Sequence, residues 1–244
     1  SLIAMRVSGF ILFNPILGRQ NIPAVVKTGI ILALSFIIIS YEPNETVAAE
    51  NTIEYALLLI KELGCGFAIG IVMNMFLYVI ILSGEVMDLQ IGLSMSKIYD
   101  AQSNISLSLT ATFFNLLFVL LFFTSNAHLA LIRLFINSGD IVPYGSIVFD
   151  KVLSSAVLTI FCDCTVLAIK FAMPIIAAEI LAEIGVGIMM KAIPQIDVFS
   201  VNIQAKVLLG IALLFIMFTP MSEFIENLIE LMFQRVQEVL SLMV

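Results

Sequence analysis

Residues 152–190 read VLSSAVLTIFCDCTVLAIKFAMPIIAAEILAEIGVGIMM, an apolar block that is too long for one simple membrane crossing. An α-helix rises about 1.5 Å per residue, so this block would run about 58 Å as a single helix, whereas the hydrocarbon core of a bilayer is about 30 Å thick. Pro174 removes one backbone hydrogen bond and favours a kink. The block therefore predicts either a broken helix or a helix that extends well past the bilayer into a protein assembly.

Apolar residues dominate the rest of the chain as well. Of its 244 residues, 61% are hydrophobic and 12% are charged, against about 45–50% and about 25% in ordinary soluble domains. A soluble globule could not bury so much apolar surface, so soluble enzymes are excluded and the sequence predicts an all-α integral membrane protein. Six apolar blocks could supply its helices: Leu2–Gly18, Pro23–Tyr41, Leu57–Ser83, Ile105–Ile136, Val152–Met190 and Val207–Met221.

The chain shows no linker or repeat that would divide it, which predicts a single membrane domain over its whole length. Residues 1–136 are predicted to form helices, with a loop at 92–104 between two of them. The polar triplet Thr124–Asn126 interrupts the fourth apolar block. A helical hairpin follows over 152–222. Residues 223–244 predict an amphipathic helix that docks on a partner or lies at an interface, with an apolar face formed by Ile225, Leu228, Ile229, Met232, Val236, Val239, Leu240 and Met243.

Few residues could carry chemistry. The single histidine, His128, cannot form a His-based metal site, and the three cysteines are too scattered for a disulfide framework. The sequence has no nucleophile elbow, phosphate-binding loop or zinc-protease motif, so we expect neither an enzyme nor a bound cofactor or metal. The net charge of -7 gives no reason to expect nucleic-acid binding.

The distribution of Lys and Arg predicts the orientation of the chain in the membrane. The connections after the first, third and fifth blocks should be cytoplasmic, because they carry Arg19, Lys27, Lys97, Lys191 and Lys206. The Glu42–Glu54 loop has no Lys or Arg, so we expect it on the external side. We also expect the natural chain to begin upstream of Ser1, and we identify no signal peptide.

Ionisable residues within the apolar blocks need an explanation, because a charge in hydrocarbon is costly. The apolar blocks contain eight such residues: Arg6, Lys61, Glu62, Arg133, Asp163, Lys170, Glu179 and Glu183. Of these, we single out Arg6, Asp163, Lys170, Glu179 and Glu183 as candidates for buried or interface charges. Glu179 and Glu183 have the spacing that shares one helix face. Asp163 and Lys170 lie about 10 Å apart along the helix axis, too far for a close pair. Two interpretations stay open: an ion relay of a secondary transporter, or charges that face other subunits or an aqueous lumen.

The connection Gly84–Asn104 is long and is too apolar for a solvated loop. Irregular backbone at membrane depth is tolerated only inside protein or along a water-filled cavity. A loop tucked into a pore meets both conditions, and the flexible side chain of Met95 suits a deformable seal. The alternative is a re-entrant packing loop with no gating role.

An ordered set of motifs runs along almost the whole chain. The most distinctive reads Gly84-Glu85-x-x-Asp88-x-Gln90-x-Gly92-Leu93-Ser94-Met95, followed by Asp100. The others are Arg6, Asn14-Pro15, Ile22-Pro23, Lys27, Asn126-Ala127-His128, Pro143-x-Gly145 and Pro194-Gln195. This set resembles the FliR family of flagellar biosynthetic proteins and its injectisome counterpart, the T subunit of the type III secretion export apparatus. Ala127 stands where that family usually has glycine, and Ala101 stands where it often has proline.

The resemblance implies a structural, pore-forming subunit of a type III protein export gate in the bacterial inner membrane, at the basal body of the flagellum. Long, partly broken helical hairpins would pack with FliP and FliQ into a multi-subunit conical export gate, wrapped by FlhB and surrounded by FlhA. Unfolded substrates would pass through it, driven by other components. The resemblance favours the flagellar system, and an injectisome gate of the same family is the alternative.

The same resemblance implies roles for individual residues. A re-entrant plug loop would close the pore, formed by Gly92, Leu93, Ser94, Met95, Ser96, Lys97, Ile98, Tyr99 and Asp100. Met95, Ile98 and Tyr99 would be its sealing side chains, because an apolar constriction holds back ions and water. Structural roles would fall on the motif residues Glu85, Asp88, Gln90, His128, Pro194 and Gln195. The Pro194-Gln195 turn would cap a cytoplasm-facing hairpin that resembles FliQ.

Overall fold

The computed structural model describes residues 1–19, 22–41, 51–94, 108–192 and 198–244. Regular structure in these ranges is helical throughout, which confirms the predicted all-α fold. The helices in chain order are α1 (Leu2–Phe13), α2 (Ala24–Tyr41), α3 (Thr52–Ile91), α4 (Leu109–Thr124), α5 (Ala127–Ile136), α6 (Ser138–Ile141), α7 (Lys151–Ala192), α8 (Val198–Ile216) and α9 (Phe218–Ser241).

Two described helices, α3 and α7, are each long and apolar enough to cross a membrane. Two bent helix pairs add up to two further spans, because α4 and α5 meet at 67° and α8 and α9 meet at 62°. The first bend falls at the polar interruption Thr124–Asn126, where Asn126 has a positive φ of 59°. The chain is therefore an integral membrane protein that has continuous as well as broken helices.

The helix α7 decides between the two structures predicted for the long apolar block. It continues through Pro174 as one helix of 42 residues, which corresponds to a length of about 63 Å. A proline removes only one hydrogen bond from the helix, and the bonds of the neighbouring turns keep α7 continuous. The block therefore extends past the bilayer thickness instead of breaking.

The described residues divide between two compact units. The first unit comprises Ser1–Leu77, Phe122–Asp163 and Leu228–Val244, and the second comprises Tyr78–Leu121 and Cys164–Asn227. Because the divisions fall inside α3, α4, α7 and α9, each of these helices contributes residues to both units.

Small residues let α1 and α3 approach closely within the first unit. A Cβ added at Gly66 would overlap the backbone carbonyl of Arg6, and one added at Gly70 would overlap Phe13. The Gly66-x-x-x-Gly70 spacing thus forms the kind of contact face that small residues provide between membrane helices. This approach brings Arg6 of α1 beside Glu62, which lies one turn before Gly66 on α3.

Aromatic side chains fill part of the interior of the second unit. Phe114 of α4 packs edge-on against Phe171 of α7, with ring centroids 5.1 Å apart. The ring of Phe224 in α9 lies 4.9 Å from that of Phe171. Such offset and edge-on pairs add specific attraction to the burial of apolar surface, so these three rings tie α4, α7 and α9 together.

The C-terminal helix begins earlier than its amphipathic pattern predicted. The pattern starts at Glu223, whereas α9 starts at Phe218, because Pro220 is tolerated in the first turn of a helix. All the residues of the predicted apolar face are buried: Ile225, Leu228, Ile229, Met232, Val236, Val239, Leu240 and Met243. This face is therefore covered by residues of the same chain.

Candidate functional site

The connection between α3 and α4 carries the predicted plug loop, and the structure describes its two ends. Residues 92–94 at its start are half-buried, and Ser108 at its end is buried. The other predicted plug residues and the Pro-Gln turn lie outside the described residues: Met95, Ser96, Lys97, Ile98, Tyr99, Asp100, Pro194 and Gln195.

A glycine ends α3 at the start of this connection. Gly92 has a φ of 90°, in the left-handed region that glycine adopts at little cost. Its N–H donates to the carbonyl oxygen of Asp88 over 3.1 Å, and the N–H of Ser94 donates to the same oxygen over 3.3 Å. This pattern is the αL helix cap, so α3 stops at Ile91 and the chain turns away.

The side chain of Asp88 caps the start of the next helix. Its Oδ2 accepts a hydrogen bond from the Ser108 hydroxyl over 2.5 Å, and its Oδ1 accepts one from the Thr110 N–H over 3.2 Å. The Thr110 hydroxyl also donates to the carboxylate. Ser108 in turn accepts the N–H of Ala111 over 3.1 Å. Asp88 and Ser108 thus satisfy two N–H groups that the first turn of α4 would otherwise leave free.

Asp88 therefore accepts hydrogen bonds from both ends of the connection. Its carbonyl oxygen binds the start, and its carboxylate binds the end. Asp88 is 1% exposed, and Ser108 and Thr110 are each 2% exposed. A buried carboxylate is tolerated only when hydrogen bonds replace its water, and these donors supply them. The chain leaves α3 and enters α4 at one buried point, whatever path the intervening residues take.

Close helix packing accompanies these hydrogen bonds. A Cβ added at Gly84 would overlap the backbone of Ala111, so α3 and α4 are in direct backbone contact there. Gly84 lies one turn before Asp88, and Ala111 directly follows Thr110. We refer to Gly84, Asp88, Ser108 and Thr110 as the Asp88 clamp. Sequence reasoning misses Ser108 and Thr110, although a serine directly before an apolar helix is a recognisable capping signal.

The other predicted motif residues lie elsewhere. On α3, Glu85 is exposed and Gln90 is half-buried. His128 lies in the first turn of α5, and its ring centroid is 5.4 Å from that of Phe123. The Nδ1 atom of His128 is buried and has no hydrogen-bond partner among the described residues. Glu85 and Gln90 belong to the same sequence motif as Asp88, and His128 belongs to a later one. None of the three takes part in the hydrogen bonds of Asp88 described above.

A buried ion pair anchors the N-terminal helix within the first unit. The Nε of Arg6 donates to Oε2 of Glu62 over 2.5 Å, and its Nη2 donates to Oε1 over 3.2 Å. This is the bidentate geometry of strong arginine–carboxylate pairs. The Nη1 of Arg6 donates to the carbonyl oxygens of Ser138 and Val142. Arg6 is 1% exposed and Glu62 is fully buried, so each charge has the partners that burial demands.

The pair also holds the turn that follows α6. Glu62 accepts the N–H of Gly145 over 2.7 Å, and the Arg6 guanidinium lies 4.3 Å from the centroid of the Tyr144 ring. Sequence reasoning misses Glu62 as the partner of Arg6. The available signal is the presence of opposite charges in two apolar blocks, since intramembrane charges usually pair with one another.

Asp163 has an ion-pair partner that the sequence did not predict. It pairs with Arg235 of α9 over 3.1 Å in the first unit, and Arg235 also binds Glu238 over 2.8 Å. Both partners of the first pair are partly exposed. The pair is therefore a solvent- or interface-accessible contact.

The remaining predicted charges lie on α7 in the second unit. Glu183 is exposed and forms an ion pair with Lys206 of α8, and Lys170 is exposed. Glu179 is fully buried, and neither of its carboxylate oxygens has a hydrogen-bond partner among the described residues. The four-residue spacing predicts that Glu179 and Glu183 share a face, yet their surroundings differ. Across the described ranges, no cluster of three His, Cys, Asp or Glu side chains could hold a metal ion.

The chain is similar to known proteins over nearly its whole length. Residues 1–232 match a family described as bacterial export proteins, family 1. The flagellar biosynthetic protein FliR of Escherichia coli K12 is 26% identical, over 97% of this chain and 90% of that protein. FliR of Bacillus subtilis 168 is 24% identical, over 99% and 94%. FliR of Buchnera aphidicola subsp. Baizongia pistaciae is 28% identical, over 87% and 82%.

Proposed function

Because the chain belongs to the bacterial export proteins, family 1, we propose that it is a structural subunit of the flagellar type III protein export gate in the bacterial inner membrane. The subunit helps to form the channel that unfolded substrates cross. Its similarity to flagellar biosynthetic proteins over most of the chain favours the flagellum over the injectisome.

The Asp88 clamp is the observation that carries a plug role for the connection between α3 and α4. Because both ends of the connection are held at one buried point, a passing chain can displace the loop while α3 and α4 stay together. Apolar side chains of such a loop exclude water and ions by dewetting and contact. The proposed seal consists of Met95, Ile98 and Tyr99, flanked by Gly92, Leu93, Ser94, Ser96, Lys97 and Asp100.

The length and exposure of α7 support assembly with other subunits. Its length of about 63 Å is roughly twice the thickness of a hydrocarbon core, and exposed apolar side chains occur along it from Val152 to Met189. Lipid cannot cover an apolar surface that extends beyond the bilayer, so protein must cover it. We propose that FliP and FliQ make these contacts, with FlhB and FlhA around the assembled gate, as the family resemblance implies.

Ion leakage through the assembled complex tests the plug. We would replace residues 95–100 with Gly and Ser in the full chain, which leaves the Asp88 clamp intact, and measure ion flux in membrane vesicles. We expect leakage to rise, whereas the same replacement at residues 42–47 should leave it unchanged. Unchanged leakage in a complex that still assembles removes the plug role. A chain that purifies alone, with its partners present in the cell, contradicts the export-gate assignment itself.

A further inference from the structure

A cavity of about 600 Å³ opens within the first unit, among residues of α5, α6 and α9. Its polar lining consists of Asn126, Arg133, Asn137 and Gln237. Apolar side chains, among them Phe233 of α9, form the rest of the wall. The cavity shares no residue with the Asp88 clamp, and the proposed export function makes no use of it.

Arg133 is the only charged residue in this lining, and no carboxylate lines the cavity among the described residues. Arg6 and Arg235 each pair with a carboxylate, whereas Arg133 is exposed and its side chain makes no ion pair within the described part of the chain. Arg133 lies in the last turn of α5, where a cation complements the helix dipole. The helix dipole explains why a cation is found at this position. It does not explain why no carboxylate of the described residues lines the adjacent cavity.

The lining suits an anionic ligand that also has an apolar part. The planar guanidinium of arginine matches phosphate oxygens bidentately, and the amide groups of asparagine and glutamine can donate to further oxygens. Leu129 and Ile132 lie on the same helix as Arg133 and are 46% and 37% exposed. In a membrane protein such side chains meet acyl chains, while an arginine near a helix end reaches the headgroup level.

We propose that this cavity binds the phosphate headgroup of an anionic phospholipid. Arg133 and Asn137, which lie four residues apart on one face at the end of α5, hold the phosphate, and the acyl chains run along the exposed apolar residues of α5. Arg133 lies in the last turn of α5, and α4 and α5 together form one candidate membrane span. A cation at the end of a membrane span, beside exposed apolar side chains, is the arrangement that favours a lipid headgroup.

Lipid binding by the complete complex, purified from membranes in mild detergent, tests this proposal. Delipidated complex would be incubated with phosphatidylglycerol or with phosphatidylcholine, and bound lipid would be quantified by native mass spectrometry. We expect selective retention of phosphatidylglycerol and a loss of tenfold or more in affinity with R133Q, because the charged hydrogen bonds to phosphate are removed. K151Q is the matched control, since Lys151 is an exposed cation of the same unit that does not line the cavity.

Three further measurements separate the sources of the anion. R133K should retain part of the affinity, because it keeps the charge without the bidentate fork. Inorganic phosphate should not displace the lipid at equal concentration; if it does, the site takes a free anion and the lipid assignment is wrong. A photo-crosslinker at position 133 should trap lipid. Capture of a protein subunit instead, or equal lipid binding by R133Q in an intact complex, overturns the proposal.

Discussion

The carboxylate of Asp88 accepts the backbone N–H of Thr110, 22 residues further along the chain, over 3.2 Å. The carbonyl oxygen of the same aspartate accepts the N–H of Gly92. One residue therefore ends α3 and caps the start of α4. The connection that carries the proposed plug is closed at its base by buried hydrogen bonds, so residues outside the plug fix where it begins and ends.

Asp88→Ala should destabilise the protein by about 2 kcal/mol or more, because it removes a helix cap and leaves buried donors unpaired. Asp88→Asn should cost less, since asparagine is also a good capping residue. Thermal unfolding of the purified complex measures both. The control is Lys61→Ala, an exposed position on the same helix, which should stay within about 0.5 kcal/mol. Equal shifts for Asp88→Ala and Lys61→Ala would contradict the clamp.

Arg6→Met should destabilise the protein by about 3–5 kcal/mol, because it leaves the buried charge of Glu62 without its partner. The double variant Arg6→Met/Glu62→Met should lose less than the sum of the two single losses, since it leaves no buried charge unpaired. A double-mutant cycle on unfolding free energies measures the coupling. Additive losses would show that the ion pair is not the source of the effect.

Gly84→Ala and Gly185→Ala should change stability in opposite directions. The added methyl at position 84 would overlap the backbone of Ala111, and such overpacking costs about 1–3 kcal/mol. At position 185 no atom of the described residues lies within 4 Å of the new Cβ, and replacing a helical glycine by alanine usually gains about 0.5–1 kcal/mol. Unfolding midpoints of the two variants test the contrast, and a neutral Gly84→Ala would refute the close contact of α3 and α4.

Asp163→Asn and Glu183→Gln should leave both assembly and export intact. The two carboxylates are 48% and 44% exposed in their ion pairs, and exposed pairs contribute at most about 1 kcal/mol. Cell motility and co-purification of the complex measure the two properties. Lost export in a complex that still assembles would favour the ion-relay interpretation, which assigns these residues a role in transport.

Much of the architecture is local and can be predicted from the sequence. The apolar blocks predict membrane helices, the triplet Thr124–Asn126 marks the bend between α4 and α5, and the 3-4 spacing after Glu223 predicts the buried face of α9. Even here a boundary moves, because α9 begins five residues before the pattern does. The sequence also leaves open whether the helix breaks at Pro174 or continues through it, since a proline favours a kink but does not require a break.

The sequence by itself determined the helical fold, the membrane environment and the family, because hydrophobic content and short motifs depend only on neighbouring residues. Only the tertiary structure decided which polar groups meet. Arg6 finds Glu62 across a separation of 56 residues, and Asp88 finds Thr110 across 22. These pairs depend on how closely the helices approach, which small residues such as Gly66 and Gly84 permit, and no local pattern specifies that distance.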